Sequence, residues 1–106
     1  MDMQDEWLRG LCAWSAANEN VRELWLFGSR ARGDARESSD VDLALALMPP
    51  RGNHDWALGN YLCLEREWKR QLEAIVRRAV SIAVLVPGDD ADACVRRDGK
   101  RLWVRD

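Results

Sequence analysis

The chain has 106 residues, a net charge of −2 and a composition that is 47% hydrophobic and 32% charged, with only seven glycines and three prolines. This is the profile of one folded domain spanning 1–106, not of a disordered or low-complexity segment, and a domain of this size buries roughly two-thirds of its unfolded surface. The missing positive excess argues against direct nucleic-acid binding, and no apolar run approaches the ~20 residues that span a bilayer.

Three scattered cysteines, Cys12, Cys63 and Cys94, form no CxxC pair. They read as reduced, buried core residues and not as a disulfide frame or a zinc site. The start, Met1 to Glu6, is polar and acidic, unlike a secretory leader. A cytoplasmic protein without membrane contact is expected.

From Asp5 to Asn18 the residues Trp7, Leu11 and Trp14 recur at i, i+4 and i+7, the stripe of an amphipathic helix. Val21 to Phe27 alternates as a strand and is apolar on both faces toward its end, which suggests a central position. Gly28 to Ser39 is a polar loop with a short helical stretch. Val41 to Met48 is a second strand, with Val41, Leu43, Leu45 and Leu47 on one face and Asp40, Asp42, Ala44 and Ala46 on the other. Pro49-Pro50-Arg51-Gly52-Asn53 breaks it.

A long helix follows from Asp55 to Arg78, its buried stripe running Tyr61, Leu64, Trp68, Leu72, Ile75, Ala79. Val80 to Val86 is a third strand, Asp89 to Arg96 a short helix, and Arg101 to Arg105 a last extended piece after an Asp98-Gly99 turn. The order predicts an α/β (α+β) layer structure: a small mixed sheet of three to four strands with helices packed on it. Trp7, Trp14, Trp56 and Trp68 lie on or beside two helices, either filling the core or leaving an exposed interface patch.

The chemistry concentrates between Leu26 and Leu47. On a strand, residues two apart share a face, so Asp40 and Asp42 point the same way. Two like charges so placed repel unless a cation sits between them. Magnesium suits the role, because it binds through one or two carboxylates and completes its shell with water and phosphate oxygens. Gly28 lets the backbone turn sharply and approach a ligand, Ser29 supplies a hydroxyl, and Arg30, Arg32 and Arg36 add charge suited to phosphate. Together these features point to a site for a magnesium-bound nucleoside triphosphate.

The GxxxxG spacing of Gly28 to Gly33 is not a P-loop, since Asp34-Ala35 stands where Lys-Ser/Thr is required. The single histidine, His54, reads as an exposed turn residue.

Gly28-Ser29, ten residues and then Asp40-x-Asp42 resembles the signature of the DNA polymerase β-like nucleotidyltransferases. The finer pattern, GSRARG followed by SDVDL, is similar to their minimal nucleotidyltransferase (MNT) group, and the likeness covers nearly the whole chain. The resemblance implies that Gly28 and Ser29 hold the β- and γ-phosphates of ATP, that Arg30 and Arg32 assist, and that Asp40 and Asp42 hold Mg²⁺ and carry catalysis. It implies transfer of AMP to a protein hydroxyl, a tyrosine of a HEPN-domain ribonuclease toxin, with this chain as the antitoxin in a hetero-oligomer.

One position departs from the family pattern. A third carboxylate is usual on the next strand, and Ser81 stands in its place. A catalytically impaired subunit that binds nucleotide and neutralises or scaffolds a HEPN partner by contact is therefore the alternative.

Overall fold

The computed structural model describes residues 3–36, 38–48 and 54–105, with the backbone alone for 54–60. The turn expected at Pro49 to Asn53 lies outside the described residues, as do the side chains of His54 and Trp56. Helix α1 (Asp5–Ala17) leads to β1 (Val21–Phe27), the short helix α2 (Gly28–Arg32) and β2 (Val41–Leu47). The long α3 (His54–Val76), β3 (Val80–Val84), α4 (Asp90–Asp98) and β4 (Lys100–Val104) follow.

The strands form one mixed sheet in the order β3-β2-β1-β4. Strand β1 is antiparallel to β2 and β4, and β2 is parallel to β3. The two central strands are the most apolar in sequence, as burial on both faces requires.

Alternation along the strands divides the core in two. On one face Leu24, Leu26, Leu43 and Leu45 are fully buried together with Trp7 and Leu11 of α1 and Tyr61, Trp68, Leu72 and Val76 of α3. On the other, Trp25, Ala44 and Ala46 pack with Leu85 and with Val95 of α4. A bulge between Val21 and Glu23 resets the alternation, so that Val21 joins Leu24 and Leu26 on the first face. Helices α1 and α3 approach closely at Gly10, where a Cβ would stand 2.7 Å from Ile75 Cγ2.

Among the described tryptophans, Trp14 and Trp103 are half-buried and the rest belong to the core. Trp7, Trp25 and Trp68 are buried. Trp14 stacks edge-on to Trp68 with ring centroids 5.7 Å apart, and its indole N–H donates to Gln71 Oε1 at 2.8 Å.

Two expectations are corrected. Helix α3 ends at Val76, short of Arg78, because Arg77 takes a left-handed φ of 54°. Its register partner in the expected stripe, Ala79, is accordingly exposed in the connection. Glu73 bridges that turn by accepting the Val80 N–H at 2.9 Å. Nor are the cysteines a buried set: Cys63 and Cys94 are exposed and only Cys12 is half-buried. Cys63 falls off the Tyr61–Leu64–Trp68 stripe, so helical phase turns it outward.

Beneath α4 lies a charge network that strand alternation does not reveal. Glu23 is 8% exposed. It accepts from Arg96 Nη2 at 3.2 Å and from the Trp25 indole at 3.3 Å, while Arg96 Nε also donates to Asp92 at 2.9 Å. The Arg96 guanidinium lies 5.6 Å from the Trp25 ring centroid. At the chain's end Arg105 donates to the carbonyls of Val21, Ser15 and Asn18 at 2.9–3.1 Å, closing the α1–β1 connection. Hydrogen bonds to charged groups contribute about 1.5–3 kcal/mol each. Glu23→Ala is therefore expected to lower unfolding stability by about 2 kcal/mol in a urea titration, and an unchanged midpoint would show that Arg96 finds equal partners without it.

Candidate functional site

The antiparallel pairing of β1 and β2 brings the end of one strand to the start of the other, so that Phe27 stands opposite Asp42. Gly28 follows with φ +71°, a left-handed conformation that favours glycine. A Cβ at Gly28 would fall on Asp42 Oδ2 and lie 3.0 Å from Asp42 Cγ. The carboxylate of Asp42 thus rests directly on the glycine turn, and any other residue there would displace it.

Asp40 is exposed one residue before β2, near enough for its charge to act on Asp42. The Asp42 carboxyl is held above its ordinary value, first by burial and then by the Asp40 charge. Arg32, Arg30 and a hydrogen bond with Ser81 pull the other way.

Helix α2 begins at the turn. The Ser29 carbonyl accepts the N–H groups of Gly33 and Asp34 at 3.0 and 3.1 Å. Gly33 closes the helix in the left-handed region. Arg32 points outward, 3.4 Å from Asp34, with a side chain 61% exposed. Arg30 turns the opposite way. It is 5% exposed, donates to the Ser39 carbonyl at 2.8 Å, and lies over the Trp7 ring at 5.2 Å.

Ser81 is the β3 neighbour of Asp42 in the parallel register. The third acid that the resemblance leads one to expect would sit on that neighbouring strand, and here the position holds a hydroxyl. Since β3 runs parallel to β2, its far end pairs at Leu45, three residues beyond Asp42, and at about 3.3 Å per residue the chain leaves the sheet roughly 10 Å along from Asp42. Among the described residues no group of three His, Cys, Asp or Glu converges on a metal position; the acidic pair stands on its own.

The end of α4 is the part of the site that sequence reasoning missed. Because β4 pairs antiparallel to β1 with Lys100 opposite Leu26, Asp98 and Gly99 arrive beside the glycine turn. An open hollow of about 190 Å³ lies there, lined by Gly28, Arg32, Cys94, Asp98 and Gly99 among others. Arg97, and more weakly Arg32, hold the Asp98 carboxyl below its ordinary value. The only hint in the sequence is the Asp98-Gly99 turn entering an extended segment, which says nothing of where that segment pairs.

Comparisons with known proteins bear on this geometry. Residues 13–106 match the family described as Polymerase beta, Nucleotidyltransferase. A chain in the crystal structure of a toxin–antitoxin with AMP-PNP superimposes with a TM-score of 0.64 at 20% identity, covering 96% of this chain and 75% of that one. A chain from the complex of the tri-AMPylated Shewanella oneidensis HEPN toxin with MNT antitoxin gives 0.61 at 20% identity, covering 97% and 74%. A protein of Sulfolobus solfataricus described as a candidate nucleotidyltransferase gives 0.52 at 23%, covering 92% and 78%. Comparison with curated protein sequences found no match. At these identities the structural likeness establishes the fold, four helices on a four-stranded mixed sheet. By the match across residues 13–106, the chain belongs to the polymerase beta nucleotidyltransferase family.

Proposed function

We propose that this protein binds magnesium-ATP at the Gly28–Asp42 junction and transfers AMP to a hydroxyl of a HEPN-domain partner, a tyrosine, acting as its antitoxin in the cytoplasm. The observation that carries this is the seating of Asp42 on the glycine turn with Asp40 beside it. A carboxylate pair held this way, one member raised by burial and then by the other's charge, suits a divalent cation. Asp40 and Asp42 would hold Mg²⁺, which when bound neutralises phosphate charge and orients the triphosphate.

Gly28 allows close approach of the phosphates, Ser29 offers its hydroxyl, and exposed Arg32 supplies a guanidinium at the edge of the hollow. In the transfer the acceptor oxygen bonds to the α-phosphorus and the bond to the β-phosphate oxygen breaks. Pyrophosphate leaves, and the hydroxyl proton passes to solvent or to a carboxylate. Such transfer is mostly positioning and charge neutralisation. Structures similar to this chain come from a toxin–antitoxin with AMP-PNP and from a complex of an AMPylated HEPN toxin, which supports both the nucleotide and the partner class.

Ser81 favours a second function. Without the third acid, nucleotide binding persists while transfer slows, and the subunit neutralises or scaffolds its partner by contact. Labelled ATP, magnesium and the protein encoded by the neighbouring gene separate the two. Label on the partner that Asp42→Ala removes supports transfer; ATP binding with no label supports contact alone.

Losing a general base typically costs about 10²- to 10⁴-fold. Restoring the acid with Ser81→Asp is therefore expected to raise the labelling rate about 100-fold at saturating magnesium. No gain, in a variant that still binds ATP, would mean that Ser81 does not limit transfer. Gly28→Val, which puts side-chain atoms where the Asp42 carboxylate rests, is expected to abolish magnesium-dependent ATP binding in calorimetry.

Acid titration gives a further check. Because the Asp42 carboxyl is raised in the fold, its ionised form is a cost that is present above the folded value and disappears on acidification below the ordinary value of 3.8. In metal-free buffer Asp42→Asn is expected to melt at or above the wild-type temperature at pH 7. The gap should close as the pH falls toward that value, and magnesium should stabilise the wild type alone.

A further inference from the structure

We propose that Arg30 is a positioning residue: it clamps the loop that delivers Asp40, with the Trp7 ring as its platform, and so sets the acid pair against the glycine turn. The clamp builds on the function proposed above, but it concerns a different task from phosphate binding.

Arg30 and Arg32 are two residues apart on α2 and go opposite ways. The Arg32 side chain is 61% exposed, whereas Arg30 is 5% exposed. Placing a guanidinium in the interior is costly unless its donors are used. Arg30 Nη2 reaches the carbonyls of Ser39 at 2.8 Å and Arg36 at 3.4 Å. Ser39 is the residue immediately before Asp40.

Within the turn, Ser39 N–H donates to the Arg36 carbonyl at 2.9 Å, and the Arg36 N–H to Ser39 Oγ at 2.8 Å. Arg30 ties this turn to α2, and through α2 to Gly28.

The platform comes from another part of the chain. Trp7 belongs to α1 and is 6% exposed. The Arg30 guanidinium lies 5.2 Å from its ring centroid, and that of Arg78 at 5.7 Å. Cation–π stacking of this kind is favourable for a desolvated arginine. Trp7 precedes residue 13, where the family match begins, so the support for the motif lies outside the stretch that defines it. Both carbonyls accept from the one Nη2, a contact an ammonium can also make, whereas the stacking on Trp7 needs the guanidinium plane, so lysine should substitute in part.

The experiment uses full-length Arg30→Met, Arg30→Lys, Trp7→Leu and Arg32→Met. Amide hydrogen exchange in the free protein is the first readout. In Arg30→Met the Arg36 and Ser39 amides are expected to exchange at least about tenfold faster while β1 and β2 keep their rates. Arg30→Lys should restore part of the protection, Trp7→Leu should move the same amides less, and Arg32→Met should leave them alone.

The second readout is binding of a fluorescent ATP analogue as magnesium is varied. Arg30→Met is expected to need about tenfold more magnesium for half-saturation, with affinity at saturating magnesium nearly unchanged. Unchanged loop exchange overturns the clamp, and a loss of affinity that saturating magnesium does not recover overturns it and makes Arg30 a phosphate ligand instead. If wild-type protein binds no magnesium-ATP, the proposed function fails, and hydrogen exchange still decides the clamp. Should Arg30→Met not fold, Arg30→Lys and Trp7→Leu decide it by the same two readouts.

Discussion

The contact between Asp42 and Gly28 is the constraint on which the rest of the structure turns. A carboxylate is pressed onto a backbone turn with no room for a side chain between them, next to a second carboxylate whose charge opposes its ionisation. Such an arrangement costs stability in an isolated domain. It persists because the neighbouring elements are over-determined: the β1–β2 register fixes Phe27 opposite Asp42, and both strands are buried on two faces. The sheet centre is rigid so that its end can be electrostatically unfavourable, as is common for residues arranged to receive a cation.

Much of this was legible in the order of residues. Strand β1 coincides with the Val21–Phe27 alternation, and the other elements lie within a few residues of their expected bounds. Periodicity is a local property, and long apolar stripes announce it well. The shared placement of Asp40 and Asp42 also follows from a period of two, and the Gly28 turn follows from a glycine ending an apolar strand. Two misses were local: Cys63 lies off the stripe that the sequence itself shows, and the early end of α3 turns on a single left-handed arginine. The rest were non-local. The burial of Glu23 depends on a cation from α4 reaching back across the sheet. Asp98 enters the site through the pairing of β4 with β1, for which no sequence pattern exists. Arg30 illustrates the limit best: its sequence places it beside Arg32 with the same chemistry, and only the fold turns one inward and the other outward.

The two faces of the sheet serve different ends. The α1–α3 face is an aliphatic and aromatic core whose packing carries most of the burial. The α4 face is thinner, and a hydrogen-bonded ion network holds it together. Helix α4 also carries Asp98 to the hollow beside the glycine turn. The site is therefore built between the β1–β2 pair and a helix fastened both by the packing of Val95 and by directional bonds from Arg96.

Ser81 can be understood against the same electrostatics. A third carboxylate at that strand position would place another like charge beside Asp42, raising the cost of the metal-free state further. The serine hydroxyl instead hydrogen-bonds Asp42 and favours its ionised form. The substitution thus lessens the repulsion in the metal-free state, so a cation has less to relieve on binding, and it removes a group suited to drawing a proton from an acceptor. The metal-free fold gains, while the pull on a cation and the transfer step both lose.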